Sequence, residues 1–407
     1  MSDKLKMEAL AAAEVMKANA ESIFGAAEYW EFEKCLGNGT YGMAVLMREK
    51  RKYVRRSRRM AVKVALHRDA DLDLQCEVAW LKLLRGAKHI IKLLASREDV
   101  GSITQDTERT QRFMDLLKRA GDQHGSKLQR LPPNSVFMGL VGIHGPAMAM
   151  EHAEHGTLLD FKDKVERFNM RIPNRVLWSF FLCLIRACIG LAYPRTKPAG
   201  ARAEVETIPE DQEPGDILHG DIALRNIMLA EVPEVGDCDE HIAAPILKLI
   251  DFGMASETGD NSAPGRNLYE IGHQMAYLAS SLYFQEECVE YRGRTTQAGE
   301  VTPRLGPDNL TGLDVELRDL ICQCMYTELE DRPSLQDALS IARDAVMNKT
   351  PDFFPSPELE TDEAIQEFWQ RSLYDADVEG VVVGFENQLR GLGGGEGGGE
   401  EWEVYDC

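Results

Sequence analysis

The sequence predicts an α+β fold: a smaller, mainly β N-terminal part with one helix, followed by a larger, mainly helical part. Three observations predict it. Between Trp30 and Glu151 the apolar runs are short, strand-like and broken by glycines. From Leu158 onward the apolar spacing is mostly helical. Within that helical half, the segments His219–Asn226 and Leu249–Gly253 sit on short strand-like runs. A chain of 407 residues is long enough to bury a sizeable core in one large or two moderate domains.

The elements follow in order. Residues 3–24 read as an Ala-rich amphipathic helix with Leu10, Val15 and Ile23 among its apolar positions, an N-terminal extension over 1–28. Its mixed charge and lack of an apolar h-region exclude a signal peptide. Trp30–Met47 alternates weakly and is broken by glycines, as two strands joined by a Gly-rich turn would be. The basic stretch Arg48–Arg59 reads as a solvated connection between strands, with a nucleic-acid or nuclear-import role as the alternative. A strand over Met60–Leu66 and a helix around Leu74–Leu84 come next. Residues 97–135 read as an insertion with a helix near 109–119, and a strand over Pro146–Glu151 closes the smaller part at 29–152. The larger part spans 153–347. Its segments 194–216 and 231–244, rich in Pro, Gly and acids, read as surface insertions. Residues 348–407 form an acidic, Gly-rich tail ending in GLGGGEGGGEEWEVYDC, a composition that favours disorder.

Charge narrows the function classes. The net charge is −21, and fifteen acids against two arginines fall after Pro351. Such a balance gives no footprint for nucleic-acid phosphates, so no nucleic-acid partner is expected. Nine cysteines without a C-x-x-C pair fit a reducing compartment, which points to the cytoplasm or nucleus. The most apolar run, Leu177–Tyr193, contains Arg186 and falls short of the roughly 20 residues of a membrane span. It reads as a buried core helix, and no membrane association is expected.

The chemistry is carried by two motifs. His219-Gly220-Asp221-Ile222-Ala223-Leu224-Arg225-Asn226 places an Asp five residues before an Asn, and Leu249-Ile250-Asp251-Phe252-Gly253 puts a second Asp in a turn before Gly. Phosphoryl transfer from a nucleotide needs such a set. One carboxylate orients the attacking hydroxyl and takes its proton, while an amide and a second carboxylate hold Mg²⁺ on the phosphates. Upstream, Gly37-Asn38-Gly39-Thr40-Tyr41-Gly42 lies between two predicted strands, where glycines let backbone N–H groups approach phosphates. Taken alone, it reads more readily as a hairpin turn than as a phosphate loop. Lys63 in Ala61-Val62-Lys63-Val64 is either a strand lysine reaching to solvent or a phosphate-binding cation held by Glu77.

Together with Met150-Glu151-His152-Ala153, these motifs resemble a eukaryotic-type protein kinase domain from about Trp30 to Ala345. The run from Leu320-Ile321 to Asp331-Arg332-Pro333-Ser334 resembles the last helices of such domains. The resemblance implies a bilobal fold with Mg²⁺-ATP in the cleft. It implies that Lys63 and Glu77 form an ion pair, that Asp221 is the catalytic base, and that Asn226 and Asp251 bind metal. The glycines Gly37, Gly39 and Gly42 with Asn38 would cover the nucleotide. Ala61, the gatekeeper Met150, and the backbone of Glu151 and Ala153 would line the adenine site. A protein substrate is implied, modified on Ser/Thr or Tyr.

Departures from the family pattern are specific. Gly220 replaces the arginine that usually precedes the catalytic Asp. Ala223 stands where a phosphate-binding lysine is common, and Arg225 resembles the arrangement of tyrosine-kinase loops that supplies such a charge. Asn267-Leu268-Tyr269-Glu270-Ile271-Gly272 looks like the start of the central helix of the larger lobe, leaving only Met254–Arg266 for the activation segment. Ala263-Pro264-Gly265 lacks the Glu that usually pairs with Arg332. A segment so short is expected not to be switched by phosphorylation. Two alternatives stay open: an ATP-binding pseudokinase scaffold, and a small-molecule kinase, since His-Gly-Asp also occurs in choline- and aminoglycoside-kinase-like enzymes.

Overall fold

A computed structural model describes residues 29–38, 42–50, 57–65, 70–97, 145–230, 239–241, 244–280, 287–302 and 312–375, with isolated positions within 15–22, 111–119 and 140–143. The fold is mixed α+β. Its main sheet is antiparallel, in the order β1 (Trp30–Asn38), β2 (Gly42–Glu49), β3 (Arg59–Ala65), β5 (Ala147–Glu151), β4 (Leu93–Arg97). Period-two alternation divides this sheet between two apolar clusters. Met43, Val45, Met60, Val62, Ala147 and Ala149 face one side with Trp30, while Met148 and Met150 face a much larger cluster shared with the helices. The same alternation turns Ala61 and Lys63 of β3 away from the smaller cluster.

Helix α1 (Asp71–Leu83) contributes Val78 and Leu81 to the larger cluster, with Asp71 and Asp73 at its N-terminal end and Lys82 in its last turn complementing the helix dipole. Helix α2 (Leu158–Arg167) starts at a capping box between Thr157 and Asp160. Helix α3 (Asn174–Ala192) is long and apolar enough to cross a membrane, but 94% of that window is buried inside the fold. It is the spine of the larger cluster. Helices α4 (Ala263–Ala279), α5 (Val315–Cys324) and α6 (Leu335–Asn348) surround it or one another. Two-stranded pairs β6 (Ile217–Leu218) with β9 (Ser256–Glu257), and β7 (Ile227–Leu229) with β8 (Leu247–Leu249), carry the motif loops. A third pair joins β10 (Val289–Tyr291) to β11 (Arg294–Thr296).

Several expectations are revised. The central helix does not begin at Asn267 but at Ala263, because Pro264 fits the first helical turn, where a missing N–H costs nothing. Segments 194–216 and 231–244 are not purely superficial, since Glu206, Glu240 and His241 are buried. Residues 351–375, assigned to the tail by composition, carry α7 (Asp362–Trp369) and bury Phe354, Ile365, Phe368 and Leu373 in the main cluster. Glu360 of this segment accepts hydrogen bonds from the backbone N–H groups of Asn174 and Arg175 (2.8 and 3.0 Å). Helix α3 has no side-chain cap of its own, so Glu360 satisfies its orphan donors from a distance. Of the basic stretch, Arg48 pairs with Glu31, Arg58 with Glu49 and Arg59 with Glu33, while residues 51–56 lie outside the described residues. Most of the N-terminal helix, most of the 97–135 insertion and residues 376–407 lie outside the described residues.

Candidate active site

Strand β3 delivers Lys63 to the face shared with α1, and helix α1 delivers Glu77. Lys63 Nζ donates to Glu77 Oε2 at 2.7 Å and to Asp251 Oδ1 at 2.9 Å. Burial disfavours the lysine's charge, yet the two carboxylates outweigh it and raise the Lys63 pKa above its ordinary value. Burial pushes Glu77 up, and Lys63 opposes that. Asp251 is pushed up by burial, but Lys63 prevails and holds it below its usual value. Asp251 adopts φ 63°, an uncommon conformation for a non-glycine residue that recurs at functional sites. The next residue, Phe252, is fully buried against the His219 ring, with centroids 4.7 Å apart.

The β6–β7 loop presents Asp221, Arg225 and Asn226. Asn226 Nδ2 donates to the Asp221 backbone oxygen (2.9 Å) and to its Oδ2 (2.8 Å). Its amide nitrogen is therefore committed to Asp221, leaving the oxygen end for another partner. Arg225 forms an ion pair with Asp221 Oδ1. Helix α4 holds the loop from below. Asn267 Oδ1 accepts from the His219 N–H and its Nδ2 donates to the Ile217 oxygen, while Glu270 and Gln274 accept from the N–H groups of Ile222 and Leu224. Asn267 thus anchors the loop at two backbone groups. Glu270 and Gln274 escaped the sequence reading. Their signal was a polar stripe at i, i+3 and i+7 on an otherwise apolar helix.

Burial lowers the His219 pKa to about 4, so the ring is neutral near pH 7. Its Nε2 lies 3.1 Å from the Ile250 backbone oxygen, and the Ile250 N–H donates to the Asn226 backbone oxygen at 3.0 Å. These bonds tie the Asp221 loop to the Asp251 turn. Gly220 between them has φ 76°, and a Cβ there would meet the Met254 carbonyl oxygen at 2.9 Å. The residue that departs from the usual motif is therefore the one this backbone requires.

The residues expected to line a nucleotide fall as follows. Gly37 and Asn38 end β1, paired with Ala44 and Met43, and Gly42 opens β2. Gly39 lies outside the described residues. Ala61 pairs with Met150 across β3 and β5. Met150 and Ala153 are buried, and the Glu151 side chain accepts from the Lys92 N–H (2.8 Å) and pairs with Lys248. Asp216, another residue the sequence did not signal, ties down the short segment after Gly253 through Thr258, Gly259 and the Ala263 N–H. Arg332 also finds partners. It donates to the carbonyls of Tyr326, Gly265 and Thr327 and lies over the Tyr269 ring, 4.8 Å from its centroid. All three of these hydrogen-bond partners are backbone oxygens, one of them at Gly265.

No protein-family model matches this sequence, and no curated protein matches it. The functional reading rests on the residues themselves.

Proposed function

We propose that this chain is an ATP-dependent phosphotransferase of the protein-kinase superfamily, bilobal in architecture, that moves the γ-phosphoryl group of Mg²⁺-ATP to a Ser/Thr or Tyr hydroxyl of a protein. The observation that carries this reading is the Lys63 ammonium held between Glu77 and Asp251, beside a loop in which Asn226 fixes Asp221. The donor set suits a hard cation: the Asp251 carboxylate, with its side chain 43% exposed, and the Asn226 amide oxygen. Bound Mg²⁺-ATP would supply the phosphoryl group and neutralise its charge.

The remaining roles belong to the chain. Glu77 orients Lys63, whose charge binds the phosphates. Asp221 receives the proton of the acceptor hydroxyl, and Asn226 and Arg225 keep its carboxylate in place. Neutral His219 contributes position rather than charge. The segment after Gly253 is short and pinned by Asp216, which supports a site that does not depend on phosphorylation of Ser256, Thr258 or Ser262.

The test is a radiolabelled ATP assay with the protein alone and with mixed protein substrates, run beside thermal melts. Mg²⁺-ATP should raise the melting temperature, as any ligand specific to the native state does, and Lys63→Ala and Asp251→Ala should blunt the rise. An unchanged melt of folded protein at millimolar Mg²⁺-ATP would overturn nucleotide binding. A rise without transfer would leave an ATP-binding scaffold.

A further inference from the structure

Away from this site, three ligand-bearing side chains converge in the protein interior. His89 follows α1 in a tight connection, Cys183 lies in the middle of α3, and His241 sits in the short helical turn 239–241. All three are fully buried or nearly so. One ligand atom from each falls within 4.8 Å of the others. His89 Nε2 is 3.1 Å from His241 Nε2, and Cys183 Sγ is 3.5 Å from His241 Nδ1. A tetrahedral zinc ion with the usual bond lengths separates its nitrogen ligands by roughly 3.3 Å and a nitrogen from a sulfur by roughly 3.6 Å. The two short contacts use opposite nitrogens of His241, so a single ion would require the side chains to adjust until one nitrogen from each ring and the sulfur, already within 4.8 Å of one another, face it together.

The surroundings are those of a ligand set. His89 Nδ1 meets Glu206 Oε2 at 2.6 Å, and the His89 N–H donates to Glu206 Oε1 at 2.8 Å. A carboxylate on the far nitrogen is the usual partner of a metal-bound imidazole, fixing its tautomer and ring orientation. Arg186, one turn after Cys183, binds the Glu206 backbone oxygen and Glu240, the neighbour of His241, each at 2.6 Å. One arginine therefore anchors both incoming segments against the helix that bears the thiol. Charge closes as well. A divalent cation with a Cys183 thiolate, a Glu206 carboxylate and two neutral imidazoles leaves no net charge in a buried place, where an uncompensated one is costly.

We propose that His89, Cys183 and His241 form a buried zinc site, with Glu206 as the positioning carboxylate on His89 and water in the fourth position. The ion would clamp the connection after α1 and the turn 239–241 to helix α3, with Glu206 joined to it through His89. It is independent of the Mg²⁺-ATP site and of the activity proposed for it.

The full-length protein is purified without chelator and its metal measured by plasma mass spectrometry, then stripped and titrated with Co²⁺. About one zinc per chain is expected, together with the visible bands of tetrahedral cobalt and a near-ultraviolet thiolate-to-cobalt band. Cys183→Ala should abolish the thiolate band, Glu206→Gln should weaken the Co²⁺ binding that this band reports by about 10–100-fold, and Asp251→Ala should leave the band unchanged. Folded wild-type protein with no stoichiometric zinc and no cobalt bands overturns the site, whatever the variants do, and leaves a hydrogen-bonded relay from Glu206 to Cys183. Bands that persist in Cys183→Ala overturn it too, since the ion would then lie elsewhere.

Discussion

Lys63→Met tests the electrostatics at the centre of the candidate site. The Glu77 side chain is 3% exposed and the Asp251 side chain 43%, so the two contacts of Lys63 differ in weight. The contact with Asp251 is screened by solvent and contributes about 0–1 kcal/mol. The contact with Glu77 is not. Removing the cation leaves a buried carboxylate unpaired, which costs about 3–5 kcal/mol if it stays ionised. Burial already pushes the Glu77 pKa up, and loss of Lys63 pushes it further. A carboxyl whose folded pKa lies above its unfolded value binds more protons folded than unfolded, so stability falls as pH rises past the unfolded pKa. Lys63→Met should therefore lose about 3–5 kcal/mol at pH 8 and markedly less at pH 5, where Glu77 takes up a proton. Glu77→Leu in the same background should restore much of the loss. Urea unfolding of wild type, both single variants and the double variant, at pH 5 and pH 8, gives the coupling energy directly. A Lys63→Met loss below about 1 kcal/mol, with no pH dependence, would refute the argument, because it would put both charges in water-like surroundings.

Three further outcomes follow from other parts of the site. Asp221→Asn should lower turnover by about 10²–10⁴-fold in steady-state assays while leaving nucleotide affinity nearly unchanged, and an equal rate would remove Asp221 as the base. The His219 pKa is depressed to about 4 in the folded protein, below the roughly 6.5 expected when unfolded. The unfolded chain thus binds the extra proton first as pH falls, and about 3 kcal/mol of stability should be lost between pH 6.5 and pH 4. Melts of wild type and His219→Phe across that range should show a shallower acid loss in the variant. Gly220→Ala should cost at least about 1 kcal/mol in urea unfolding, because alanine at that positive φ is strained and its Cβ meets the Met254 carbonyl. A neutral result there would mean the loop can readjust.

What the sequence by itself determined is local. Strands β2, β3 and β5 fall where alternation and glycines placed them, because side-chain period and turn chemistry are set by neighbouring residues. Helix α3 was legible as a core helix because its apolar residues run all round it. Lys63, Glu77, Asp221, Asn226 and Asp251 stood out because each sits in a short motif with its own spacing, and the fold brings Lys63, Glu77 and Asp251 within one ion cluster. Other features were decided only in three dimensions. Arg332 finds backbone carbonyls across the fold, which no residue pattern encodes. Composition put residues 351–375 in the tail, yet a few spaced aromatics suffice to dock them once α2 and α3 offer a surface. His89, Cys183, Glu206 and His241 carry no mutual spacing signal, since the first and last are 152 residues apart. Their meeting depends on how insertions that look like surface loops return to the central helix. Sequence periodicity reports which face of an element is apolar. It does not report which distant polar groups must find one another once that face is buried, and burial is what makes their pairing obligatory.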